Sequence, residues 1–204
     1  MKYLQKRLSK IKKFRIGFFS TLLLLSFFLS DPIFASASLV SIILHEFGHI
    51  LAAKIKGLYF SEFTLSIFGA GLRPDSSIFS YEDEIFICAF GPFINFITFS
   101  PAFLAFLIFD NIFFLYVSLS SLILGLLNLL PIKDMDGGRI LHSILCLCIP
   151  FEKAEQTVRI ISFVSIIILW CFSVYLLMVT GSGLSSFIFS LSLFSKIFLS
   201  DSIK

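Results

Sequence analysis

Long apolar runs alternate with short polar breaks along almost the whole chain. Six runs stand out, at about residues 16–30, 33–53, 85–109, 112–130, 160–180 and 184–199. A helix that crosses a bilayer needs about 20 mostly apolar residues. The pattern therefore predicts an all-α polytopic membrane protein with about six transmembrane helices. The first and last runs are short for that task and are expected to tilt little or lie shallow. Two polar stretches break the series, 57–84 and 131–159. In the first, Phe63, Leu65 and Ile67 alternate with Thr64 and Ser66, the period of a half-buried strand. Gly69, Gly71 and Pro74 follow with turn chemistry. A short β-hairpin or small sheet at the cytoplasmic membrane surface is expected there. No repeat or low-complexity linker divides the chain, so residues 1–204 are read as a single transmembrane domain.

Composition agrees with that picture. Hydrophobic residues make up 57% of the chain and charged residues only 14%, against about a quarter in a soluble domain. A net charge of +3 is too small to point to nucleic acid as a partner. The positions of the charges say more. Lys2, Lys6, Arg7, Lys10, Lys12, Lys13 and Arg15 make residues 1–15 a basic segment ahead of the first run. Lys54, Lys56 and Arg73 follow the second run, Lys133, Arg139, Lys153 and Arg159 follow the fourth, and Lys196 and Lys204 end the chain. The alternate loops, near Asp31, at Asp110–Asn111 and at 181–183, contain no basic residue. All sixteen cations thus fall on one side, which the positive-inside rule makes cytoplasmic, with both termini inside. The basic start, the apolar run and Ala35-Ser36-Ala37 also resemble a signal peptide with a cleavage site. Cleavage there would shorten the second span to a marginal length, so the six-span reading is preferred. Cys88, Cys146, Cys148 and Cys171 form no Cys-x-x-Cys pair and read as small buried hydrophobes.

Chemistry concentrates in the second run. Two of the three histidines lie in HEFGH at 45–49. On a helix, positions i and i+4 share a face, so His45 and His49 can bind one metal ion. Glu46 follows the first of them and suits a general base acting on a water at that metal. The plain alternative is three polar side chains packed inside a bundle, but ionisable groups are costly in hydrocarbon and are by default functional candidates. At about 1.5 Å per residue, the motif begins roughly 12 Å below the inner surface. A catalytic zinc usually takes three protein ligands and keeps one position open. His142 sits in an amphipathic segment and reads as a surface or supporting histidine. Asp134 and Asp136 are the other candidates. They follow Pro131, which breaks a helix, and precede Gly137 and Gly138, which permit a tight turn. Asn95 lies at a depth close to that of HEFGH, where its amide suits a substrate backbone or an oxyanion. Its alternative is an interhelical hydrogen bond. Asn128 carries the same two readings.

Three ordered motifs carry a resemblance: HEFGH at 45–49, GPFIN at 91–95, and NLLP at 128–131 followed by Asp136-Gly137-Gly138. Together they resemble the site-2 protease (M50) family of intramembrane zinc metalloproteases, over roughly residues 40–145. The resemblance implies one zinc ion per chain held by His45, His49 and Asp136, with Glu46 activating water, and so prefers Asp136 to Asp134. It implies a catalytic core at 33–145 and peptide-bond cleavage in a membrane-embedded or membrane-associated protein. The six-span layout, with the motif in the second span, looks most like the sporulation subgroup, whose members cleave a membrane-associated transcription-factor precursor. The CBS domain common in that subgroup and the PDZ domain of another subgroup are not seen, which leaves the substrate and any membrane regulatory partner open. The alternatives are a catalytically silent membrane scaffold and an ion or proton transporter.

Overall fold

The computed structural model describes residues 15–16, 31–58, 60–66, 69–74, 80–133 and 135–180. Most of these are helical. Helix α1 spans Pro32–Ile55, α2 Tyr81–Phe109, α3 Ile112–Asn128, α4 Asp136–Cys148 and α5 Phe151–Thr180. Backbone pairing joins β2 (Phe60–Ser66) antiparallel to β3 (Gly69–Pro74), and β1 (Arg15–Ile16) runs parallel to Thr64 and Leu65 of β2. The first and sixth expected spans lie outside the described residues.

The polar breaks in the sequence are the helix caps. Asp31 accepts from the amides of Ile33 and Phe34, each at 3.0 Å, with Pro32 opening α1. These contacts satisfy donors that the first turn leaves unpaired. Ser80 accepts from Glu82 N at the start of α2, where Glu82, Asp83 and Glu84 face the positive end of the helix dipole. Asp110 ends α2 in a left-handed conformation, and Asn111 caps α3 by accepting from Phe113 N. Helix α2 continues through Pro92 and Pro101.

Among the described residues, three helices, Pro32–Ile55, Tyr81–Phe109 and Phe151–Val179, are long and apolar enough to cross a membrane by length and composition. Helix α3, with 17 residues, is apolar but shorter. Side chains are distributed inside out relative to a water-soluble bundle. The buried face of α1 is Ala35, Ala37, Ser41, His45, Gly48, His49, Ala52 and Ala53. Ile43, Phe47 and Ile50 of the same helix are exposed, as are Leu107 and Ile108 of α2. Small residues inside let helix backbones approach, and large apolar residues outside suit lipid. Hydroxyls tie the interior. Ser121 donates to Ser41 at 3.0 Å, Ser41 reaches the carbonyls of Ala37 and Val117, and Ser118 donates to Phe99 O. Cys88 is buried as expected, whereas Cys148 and Cys171 are exposed on the outer face that favours any apolar side chain.

Helix α3 ends at Asn128, just before Pro131, and an irregular segment leads to α4. Such a segment inside a bundle needs its polar backbone satisfied. Ser162 of α5 does this. Its hydroxyl accepts from Lys133 N at 2.9 Å and lies 3.3 Å from Pro131 O and 2.7 Å from Val158 O. Ile132 and Met135 bury against Ile166 beside it.

Candidate metal centre

Helix α1 places His45 and His49 one turn apart on its buried face, both only 5% exposed. Their Nε2 atoms lie 3.1 Å apart. The first residue of α4, Asp136, brings its Oδ2 to 3.2 Å from His45 Nε2 and 3.3 Å from His49 Nε2. The three donor atoms form a nearly equilateral triangle. Donors about 2.0–2.2 Å from one tetrahedral zinc stand about 3.3–3.5 Å apart, so the triangle fits one such ion with its fourth position open. Among the described residues, this is the one set of three or more His, Cys, Asp or Glu side chains able to hold a metal.

The surroundings of Asp136 agree with a ligand role: its Oδ2 is buried, has no hydrogen-bond partner among the described residues and faces the two Nε2 atoms. The partner of His49 is equally informative. Its Nδ1 is 2.8 Å from Ile87 O. A carbonyl only accepts, so Nδ1 carries the proton and Nε2 of the neutral ring keeps its lone pair for a metal.

One stripe of α2 builds the wall behind the rings. Ile87, Gly91 and Asn95 are spaced by four and share a face. Ile87 supplies the carbonyl. Gly91 supplies space: a Cβ there would lie 2.4 Å from His49 Cε1 and Nε2 and 2.9 Å from His45 Cε1. Asn95, fully buried, puts its Nδ2 3.1 Å from His45 Nδ1. That contact is on the side of the ring away from the triangle.

Asp136 is held by packing on both sides. A Cβ on Gly137 would come within 2.1 Å of Leu129 O, and one on Gly138 within 2.0 Å of Ile132 O. Neither glycine has a positive φ, a geometry that Gly57 alone among the glycines described adopts. The two glycines thus serve close backbone approach rather than the tight turn expected of them. Beyond them, Arg139 donates through Nε and Nη2 to Glu84 Oε1 at 3.2 and 3.1 Å, and Ser143 donates to Glu84 Oε2 at 3.0 Å. This clamp ties the first turn of α2 to α4. It could not be read from the sequence, because its partners are 55 and 59 residues apart.

The remaining candidates lie elsewhere. Glu46 is half-buried, next to His45 on α1. Asn128 is half-buried at the end of α3, where its Nδ2 donates to Leu124 O of its own helix. His142 is 3.5 Å from Glu155 Oε2 and near Cys146, away from the triangle. Asp134 lies outside the described residues.

Residues 104–171 match the family described as Peptidase family M50. A curated zinc metalloprotease of Methanocaldococcus jannaschii is 39% identical over 111 residues, covering 52% of this chain and 32% of the relative. These matches support the peptidase M50 family. The chain thus spans about a third of the length of the curated relative that it matches. A solved structure, the site-2 protease from Methanocaldococcus jannaschii, aligns with a TM-score of 0.64 at 23% identity, over 95% of this chain and 93% of that one. At that identity the likeness shows the fold. With the three long apolar helices among the described residues, it supports a multi-pass membrane protein.

Proposed function

We propose that this chain is an intramembrane zinc metalloendopeptidase that cleaves a membrane-embedded or membrane-associated protein. One observation carries the reading: two imidazole nitrogens from α1 and a carboxylate oxygen from α4 converge within 3.1–3.3 Å of one another in a buried site. The family match and the curated zinc metalloprotease support it.

His45, His49 and Asp136 would hold the zinc. Bound there, the ion supplies water acidified to a pKa of about 7 and polarisation of the scissile carbonyl. Glu46 accepts a proton from the attacking water and returns it to the leaving nitrogen. Asn128 is proposed to bind the substrate backbone or the oxyanion at the end of α3. A helical substrate hides its peptide bonds in internal hydrogen bonds and must unwind locally before attack. The strand at Phe60–Ser66, set at the cytoplasmic membrane surface, would pair with the unwound segment by strand addition. The positive-inside pattern supports six spans with both termini cytoplasmic and the zinc site in the inner half of the bilayer. The layout supports a place nearest the sporulation subgroup, with a membrane-associated transcription-factor precursor as substrate.

The test is Glu46→Gln. Zinc content after purification should match the wild type, and cleavage of co-expressed single-span substrates should be lost. Continued cleavage by this variant would remove Glu46 from the proposed role. A wild-type chain that takes up no zinc would remove the metalloprotease reading itself.

A further inference from the structure

The side chain of Asn95 is fully buried, and it meets His45 at the nitrogen that faces away from the metal site. With Nδ2 toward the ring, the amide donates to His45 Nδ1, and its own Oδ1 is left buried without a hydrogen-bond partner. That arrangement has two defects. A buried carbonyl oxygen goes unsatisfied, which is costly. Nδ1 becomes an acceptor, so the proton of the neutral ring moves to Nε2, the atom aimed at His49 and Asp136. Turning the amide by 180° removes the second defect and puts the Nδ2 donors where the unpartnered oxygen stood. The two ends of a carboxamide are nearly equal in size, so hydrogen-bond chemistry decides which faces the ring. With Oδ1 toward the ring, Asn95 accepts from His45 Nδ1–H, and Nε2 is freed. His49 already has this arrangement with the carbonyl of Ile87.

We propose that Asn95 is a positioning residue for the metal centre: its amide oxygen accepts from His45 Nδ1–H and thereby presents the Nε2 lone pair to the ion. This rests on the metalloprotease reading and replaces the oxyanion role expected for Asn95 from the sequence. Ile87 and Asn95 then act as a pair. One backbone carbonyl and one side-chain carbonyl, eight residues apart on the same stripe of α2, set the tautomers of the two imidazoles. With both Nδ1 atoms protonated, two nitrogen lone pairs and a carboxylate oxygen face a common point. Such a cluster repels itself until a cation enters it, so the outer partners prepare the site for metal. Outer partners of metal-bound histidines typically change metal affinity by about 10- to 100-fold.

The first test needs no substitution and no metal. In detergent-solubilised, metal-free wild-type chain, two-bond 15N–1H spectra of the neutral imidazoles should show His45 protonated at Nδ1. The Nε2–H form, which free imidazole side chains prefer, would overturn the proposal. The second test compares Asn95→Leu, which keeps the bulk and removes the acceptor, with Asn95→Asp, which keeps the acceptor. By chelator competition, Asn95→Leu should bind zinc about 10- to 100-fold more weakly, whereas Asn95→Asp should bind at least as tightly as wild type. Equal loss in both variants, or wild-type zinc affinity in Asn95→Leu with cleavage lost, would overturn it in favour of a packing or substrate role. Failure of the metalloprotease reading looks different: the wild-type chain would then bind no zinc, whatever tautomer His45 adopts.

Discussion

Gly91 carries no functional group, yet its place against both imidazoles makes it as decisive as the ligands. The rings occupy the volume where any Cβ would go, at distances no side chain tolerates. Gly91→Ala should therefore push His49 off the triangle. Overpacking of this kind costs about 1–3 kcal/mol, and the loss should be visible both as reduced zinc uptake and as earlier thermal unfolding in detergent. Gly57→Ala is the control. Gly57 has a φ of 67° and nothing within 4 Å of the added carbon. It should cost about 1–2 kcal/mol through backbone strain alone and leave zinc affinity unchanged. Equal zinc loss in both variants would mean that global instability, not crowding of the rings, explains the Gly91 effect. At this scale HEFGH advertised its chemistry in the sequence through residue type and spacing. Gly91 stood out only as a member of a motif and Asn95 by its depth in the span, and neither revealed its partner, a neighbour some forty to fifty residues earlier.

The metal centre depends on two helices that meet at one point. Helix α1 brings both histidines by itself, since a spacing of four is a property of any helix. Helix α4 must be docked for Asp136 to arrive. The docking is carried by Glu84 with Arg139 and Ser143, by the close approach of Gly137 and Gly138 to the preceding segment, and by Ser162 beneath it. Glu84→Gln should weaken the clamp and leave Arg139 with a poorer partner. The expected cost is about 1–3 kcal/mol, with a fall in zinc affinity although no ligand is touched. Lys133→Ala breaks the ion pair with Glu155, where the Lys133 side chain is 44% exposed. Exposed pairs contribute about 0–1 kcal/mol, so zinc affinity should barely change. Chelator competition on the two variants checks both statements, and a larger loss from Lys133→Ala than from Glu84→Gln would contradict the proposed docking.

Across the whole molecule, the proposed metal joins α1 to α4, which the chain itself connects only through α2 and α3. An ion that binds the folded state alone stabilises it by about 2.7 kcal/mol at a free concentration a hundredfold above its dissociation constant. Chelator should therefore lower the unfolding temperature of the wild-type chain. The same treatment should leave His45→Ala unchanged, because that variant has already lost the link. An equal chelator effect in both would place the stabilising metal somewhere other than the triangle.

Hydropathy alone delineated the apolar segments, and helical periodicity alone paired His45 with His49. These follow from local rules: the length of an apolar run and the 3.6-residue repeat act on neighbours in the chain. The choice between Asp136 and Asp134 rested at the sequence level on a family pattern, and the tertiary structure brought Asp136 to the two rings. Only that structure turned Asn95 toward His45, drew α4 against α2 through Glu84, and ran α2 unbroken past Gly91 and Pro92. Each of these depends on which helix faces pack together. That outcome is settled by small residues permitting close approach and by buried polar groups finding partners far away in sequence. No window of neighbouring residues contains that information.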